Sequence, residues 1–230
     1  EPQLVMWGDS KALAEERIRA QAVKQEQPVT VVLGNPPYDR VAKEDAGGWV
    51  LHGDPGEKKA PLFQDVIDAT ARHKVRFSYT ASLYNLYTYF WRWAMWKAFE
   101  QRSGPAVVAF ITGSTWLSGP AFVGLRELAL RHADDVYIVD LGGDDRSAIS
   151  DENVFAIQSP VAITVLVRDD RSDGRSKASV HYRRIEGSRA EKLAGLGEVT
   201  PQRAVPGEWQ PVAADPVAGS SGTPAAGANI

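Results

Sequence analysis

The strongest constraint on the fold of this chain is the alternation of short apolar, β-branched runs with helix-type segments. Residues 29–33 read Val-Thr-Val-Val-Leu, residues 106–111 read Ala-Val-Val-Ala-Phe-Ile, and residues 135–141 carry Val136, Ile138 and Leu141. Runs this short and this apolar suit strands covered on both faces. Helical patterns at 82–101 and 121–132 separate them, and a helix at 10–25, capped by Ser10 and stopped by Pro28, precedes the first run. Leu13, Ile18 and Val23 mark the apolar side of that first helix, which is otherwise solvated and charge-laced. The predicted fold class is α/β with a mostly parallel sheet. Two later runs, 161–167 and 178–185, predict strands joined as an antiparallel hairpin around residues 170–174, toward the C-terminal end.

The segments between and after these elements differ in character. Residues 39–78 dissolve into charge, Gly pairs and Pro, which predicts a long loop with one helix at 62–71. Loops of that length inside a compact domain are functional or disordered. Of the last 25 residues 8 are Gly or Pro and large apolar side chains nearly vanish, so residues 193–230 read as a linker or disordered tail. With 26 Lys+Arg against 29 Asp+Glu the net charge is -3, so any contact with a polyanion must be local. The absence of cysteine excludes disulfides, thiolate nucleophiles and sulfur-based zinc sites, and the four histidines are scattered. No apolar stretch reaches the roughly 18 residues of a membrane helix. A reducing, cytoplasmic setting fits this composition. The N-terminus, Glu1-Pro2-Gln3, predicts an internal piece of something longer.

Chemistry concentrates where the first apolar run discharges into Asn35-Pro36-Pro37-Tyr38. In an open α/β sheet, ligands sit beyond the carboxyl ends of the strands. Two prolines with fixed φ and no N–H make a stiff turn whose carbonyls, together with the Asn35 amide oxygen, can converge as hydrogen-bond acceptors. Such an array suits a substrate amine. Ten of the 21 aromatic residues lie between Phe77 and Phe99, a density that predicts a helix buried on most sides.

The segment Asn35–Tyr38 resembles the Asn/Asp-Pro-Pro-Tyr motif of S-adenosylmethionine-dependent amino-methyltransferases that methylate the exocyclic amine of adenine in DNA. The order of the later segments follows the gamma-type enzymes of that family: Thr112, then Ser114-Thr115-Trp116-Leu117, then Val136–Leu141, then Asn153-Val154-Phe155-Ala156-Ile157-Gln158. The flanks, including Tyr84-Asn85-Leu86-Tyr87 and Leu141-Gly142-Gly143-Asp144, look like the methyltransferase portion of single-chain ISP-type restriction-modification enzymes. The resemblance implies a Rossmann-like methyltransferase fold, of which residues 1–192 are the substrate-side portion. It implies that Asn35 and Pro36 accept the amine hydrogens and border the cofactor's methyl group, with Pro37 stiffening the turn. Tyr38 and Phe155 then hold an adenine rotated out of double-stranded DNA. Cofactor-binding, helicase-like and target-recognition segments are expected elsewhere in a parent chain. One departure stands against the family pattern, since no Gly-rich loop precedes Asn35. On this reading the chain alone binds S-adenosylmethionine poorly or not at all.

Other readings remain open at this level. Similar Pro-Pro turns occur in methyltransferases acting on protein glutamine or RNA guanine, and a non-catalytic DNA-engaging domain could retain the fold. Residues 53–59 lack the spacing of a phosphate loop. Lys58, Lys59, Arg72, Lys74 and Arg76 offer a local basic edge for DNA phosphates. Asp144, Asp145 and Asp151 have no ligand-spaced His or Glu beside them, and no metal site is expected.

Overall fold

The computed structural model describes residues 2–25, 27–38, 48–54, 56, 60–143, 151–155, 157–169, 178–199 and 209–212. In chain order, α1 (Pro2–Gln25) leads to β1 (Val31–Gly34), followed by α2 (Gly48–His52), α3 (Gln64–Arg72) and α4 (Phe77–Thr80). The aromatic segment forms α5 (Leu86–Met95), which widens into a π-helical turn at Trp96–Glu100. Then come β2 (Ala106–Gly113), α6 (Thr115–Ser118), α7 (Val123–His132), β3 (Asp135–Gly142), β4 (Val161–Arg168), β5 (Ser179–Arg184), α8 (Arg189–Gly197) and β6 (Gln210–Val212).

The strands form one mixed sheet in the order β1-β2-β4-β3-β5-β6. β1 pairs with β2, and β3 with β5, in parallel. β4 lies between β2 and β3, antiparallel to both, and β6 runs antiparallel to β5. Two expectations are corrected here. Residues 161–168 and 179–184 do not form a hairpin, and three of the five ladders are antiparallel, so the sheet is mixed rather than mostly parallel. The cause is the two-faced apolar character of Val161–Arg168: Val161, Ala162, Thr164 and Leu166 are all buried, which suits a central strand rather than one arm of a peripheral hairpin. The boundary expected at residue 192 falls inside α8, and residues 210–212 add β6 to the sheet edge.

Pleating sorts the strand residues between two apolar layers. Val108, Phe110, Val136, Ile138, Ala162 and Leu166 join a large cluster under α3, α5 and α7. Ile111, Val139, Leu141, Val161 and Ile163 point the other way, into a smaller cluster that includes Leu196 of α8. The aromatic helix is buried on most sides as its composition demands. Trp91, with no exposed surface, packs at 4.8 Å from Phe110 and 4.9 Å from Trp116. Burying one such side chain contributes about 1.5–3 kcal/mol. α3 and α7 touch at Gly124, where a Cβ would collide with Val66 O and lie 2.7 Å from Thr70 Oγ1. Only glycine permits that approach.

α1 behaves differently from the rest. Leu13, Ile18 and Val23 are exposed, as are Val31 and Leu33 on β1, the edge strand of the sheet. Among the described residues, no helix is long and apolar enough to cross a membrane.

Candidate functional site

The sheet topology brings three separated segments to one edge. β1 and β2 are parallel, so the chain leaves both at the same end, through Asn35–Tyr38 and through Ser114 onward. Gly113 at the end of β2 pairs with Val161 at the start of the antiparallel β4, which delivers residues 151–160 to that same edge. Ser114 N donates to Pro160 O at 2.8 Å and fixes the junction.

A cavity of about 260 Å³ opens there, lined among others by Tyr38, Asn85, Tyr87, Thr115, Phe122 and Ser159. Tyr38 forms one wall, half-buried, with its hydroxyl in a stretched hydrogen bond to Ile111 O at 3.4 Å. Burial, with a smaller contribution from the neighbouring Tyr87 phenol, pushes the Tyr38 pKa up to about 12. Burial raises Tyr87 as well, against hydrogen bonds from Thr115 and Asn85 that lower it. Both phenols are therefore protonated at neutral pH and can donate. The Tyr87 ring stacks against Phe122 at 6.2 Å.

The 116–119 wall is held from behind. Buried Arg126 of α7 donates to Trp116 O and Gly119 O, both at 2.8 Å. On the opposite side, Asn153 organises the segment that carries Phe155. Its Oδ1 accepts from Phe155 N at 2.9 Å, while its Nδ2 donates to Ser159 O at 2.8 Å and to Gly143 O at 3.2 Å. Gly143 has φ +87, and a Cβ there would lie 2.6 Å from Asn153 Cα, so this crossing requires glycine. Below it, the fully buried Lys192 ammonium reaches Asp151 Oδ1 at 2.5 Å and donates to Leu141 O and Glu152 O at 2.6 Å. Burial raises the Asp151 pKa, but the Lys192 hydrogen bond, the Gly143 and Gly187 amides and the Lys192 charge outweigh it and hold the carboxyl below its usual range.

Tyr38 and Phe155, far apart in sequence, thus pack against one apolar cluster. Asn35 and Pro37 are exposed and Pro36 is buried. Of these five residues, only Tyr38 is among the cavity-lining residues. Asn85, Tyr87, Thr115 and Ser159 had no role assigned from sequence, although Asn85 and Ser159 lie at bends and Tyr87 and Thr115 in the first turns of helices beside apolar elements, which is the signal that could have found them. Asp151 is a structural anion for Lys192 and Arg184. Among the described residues, no cluster of His, Asp or Glu could hold a metal. Of the proposed basic edge, Arg72 is paired with Glu127 at 2.8 Å, Lys74 and Arg76 are exposed, and Lys58 and Lys59 lie outside the described residues with Asp144 and Asp145.

This architecture recurs in solved structures. The chain shares its fold with a segment of restriction-modification enzymes. A nuclease-deletion mutant of the Type ISP enzyme LlaGI, in complex with a DNA substrate mimic, matches 87% of the chain at 24% identity with a TM-score of 0.62. The ATP-dependent Type ISP enzyme LlaBIII bound to DNA matches 80% at 26% identity and 0.57, and the DrdV–DNA complex matches 86% at 22% and 0.58. The chain spans only 19%, 12% and 18% of those polypeptides, respectively. No family model matches the sequence, nor does any curated protein.

Proposed function

We propose that this chain is the substrate-side portion of a restriction-modification enzyme's DNA adenine-N6 methyltransferase, dependent on S-adenosylmethionine. The observation that carries the reading is the placement of Asn35–Tyr38 at the carboxyl end of β1, with Tyr38 and Phe155 on one cluster beside a cavity. The likeness to LlaBIII bound to DNA supports a DNA substrate, since there the fold serves an enzyme on its DNA.

Asn35 and Pro36 perform the decisive step. The Asn35 Oδ1 and the Pro36 carbonyl each accept a hydrogen from the adenine amine, drawing the nitrogen toward tetrahedral geometry and exposing its lone pair. Pro37 stiffens the turn that sets their spacing. The gain is alignment plus stabilisation of the positive charge that builds on nitrogen, which after the transfer gives up one of its two hydrogens as a proton to solvent. Tyr38 and Phe155 grip the base after it leaves the duplex, a contact of about 1–3 kcal/mol per stacked ring. The cofactor, when bound, supplies an electrophilic methyl group on a sulfonium. The described residues fit only its methyl-bearing end: β1 is the sheet edge, and the helix α1, not a strand with a Gly-rich loop, precedes it. The remaining contacts to that cofactor, the helicase-like segments and the target-recognition segments belong elsewhere in the parent chain.

The test is methyl transfer from tritiated S-adenosylmethionine to adenine-containing duplex DNA by the full-length protein. Asn35→Ala is expected to lower turnover by at least about a hundredfold, in line with loss of a preorganised acceptor. Near-normal turnover would remove Asn35 from its role.

A further inference from the structure

We infer that Tyr87, supported by Asn85 and Thr115, forms the polar edge that reads the ring nitrogens of the target base and so selects adenine among the amine-bearing bases. The inference rests on the methyltransferase reading and deepens it.

Asn85 provides the first observation. It occupies the N-cap of α5 with extended backbone angles, φ -75 and ψ 141. Asn at that position ordinarily turns its side chain back onto the helix amides. Here it makes no cap hydrogen bond and reaches the Tyr87 phenol instead. A residue that declines its local role points to another one.

Tyr87 provides the second. Its side chain is 4% exposed, and its oxygen is met by the Asn85 side chain and by a long contact to Thr115 Oγ1, at 3.4 Å. With the Asn85 amide donating to that oxygen, the phenol's own hydrogen has only the long Thr115 contact and keeps capacity for a better acceptor. Asn85, Tyr87 and Thr115 line the same cavity as Tyr38, which places three polar groups beside the proposed stacking ring. The other linings are Ser82, Gly113, Gly119, Pro120, Ala121, Phe122 and Ser159, small or flat groups that suit a planar ring.

Base chemistry decides what such an edge prefers. Apart from its amine, adenine presents only acceptors, at N1, N3 and N7. Guanine adds an N–H donor beside its carbonyl, and cytosine, a single ring, is too short to reach from the amine acceptors to a distant edge. Tyr87, Asn85 and Thr115 can each donate to adenine's acceptors, and guanine is turned away because its 6-carbonyl would stand against the Asn35 and Pro36 acceptors.

The experiment uses the full-length protein and duplexes carrying adenine, 1-deazaadenine, 3-deazaadenine or 7-deazaadenine at the target position, with kcat/KM for methylation as the readout. Tyr87→Phe removes the hydroxyl and keeps the ring. It is expected to lower kcat/KM on adenine about tenfold while losing nothing further on the deaza base whose missing nitrogen it served. Thr115→Val is expected to follow in the same direction with a smaller loss. If Tyr87→Phe leaves adenine unaffected, or lowers adenine and all three deaza bases equally, the inference falls. A wild-type protein that leaves all DNA unmodified removes the methyltransferase reading and this inference together, whereas methylation indifferent to Tyr87 removes this one alone.

Discussion

Tyr38 is the residue on which the site converges, because it belongs to the Asn-Pro-Pro-Tyr turn, to the cavity wall and to the Phe155 cluster. Its ring and its hydroxyl have separable roles. Tyr38→Phe gives up only the stretched bond to Ile111 O and should keep kcat/KM within about twofold of the parent. Tyr38→Ala removes the proposed stacking surface and should lower kcat/KM roughly 5- to 150-fold, the equivalent of about 1–3 kcal/mol. The fluorescence of 2-aminopurine at the target position would report the same loss as a weaker response on binding. Because burial holds the phenol near 12, no break attributable to Tyr38 is expected in the pH–rate profile below about pH 11. The Asn-Pro-Pro-Tyr turn was legible in sequence as rigid and acceptor-rich. Tyr87 was not, because its proposed role comes from Asn85 forgoing the helix cap, a choice of side-chain direction that residue identity does not reveal.

At the scale of elements, α8 is fastened to the end of β3 by a buried ion pair. Asp151→Ala would strand the Lys192 ammonium, with no exposed surface and its carboxylate gone, and should cost about 3–5 kcal/mol in urea unfolding. The double change Asp151→Ala with Lys192→Met should recover most of that loss, since neither charge is then left unpaired. If the double variant unfolds as easily as the single one, the chief service of Asp151 is accepting from the Gly143 and Gly187 amides. Five of the six described strands were readable within a few residues, for Val107 to Ile111 and Val161 to Val167 are unmistakable apolar runs, whereas β6 falls in the segment read as a tail. Their pairing was not. Two strands close in sequence invite a hairpin, and only burial on both faces places Val161–Arg168 in the middle of the sheet.

For the whole molecule, acid resistance depends on a cluster that the site does not use. Arg92, 4% exposed, joins Asp65 of α3 to Glu100 at the π-helical turn, and His132 of α7 approaches the same Glu100 carboxylate at 3.2 Å. Burial raises the Glu100 pKa, but the His132 and Arg92 hydrogen bonds and charges overcome it and bring it down to about 2 from 4.5. A carboxyl lowered on folding stabilises the fold above its unfolded pKa, and that contribution is lost as pH falls through the folded one. Stability should thus drop between about pH 4.5 and 2 by on the order of 1–2 kcal/mol for this partly exposed group. Glu100→Gln should flatten that part of the curve in thermal melts taken across the range. The central position of β4 also has a consequence for biosynthesis. β2 and β3 leave the ribosome first and have no ladder to each other until Val161–Arg168 arrives to bridge them. Asn153, Phe155 and Ser159 emerge just ahead of that strand, so a nascent chain joins the two halves of its sheet and completes the candidate site in one late event, and a translation product cut short of β4 keeps only the β1–β2 ladder.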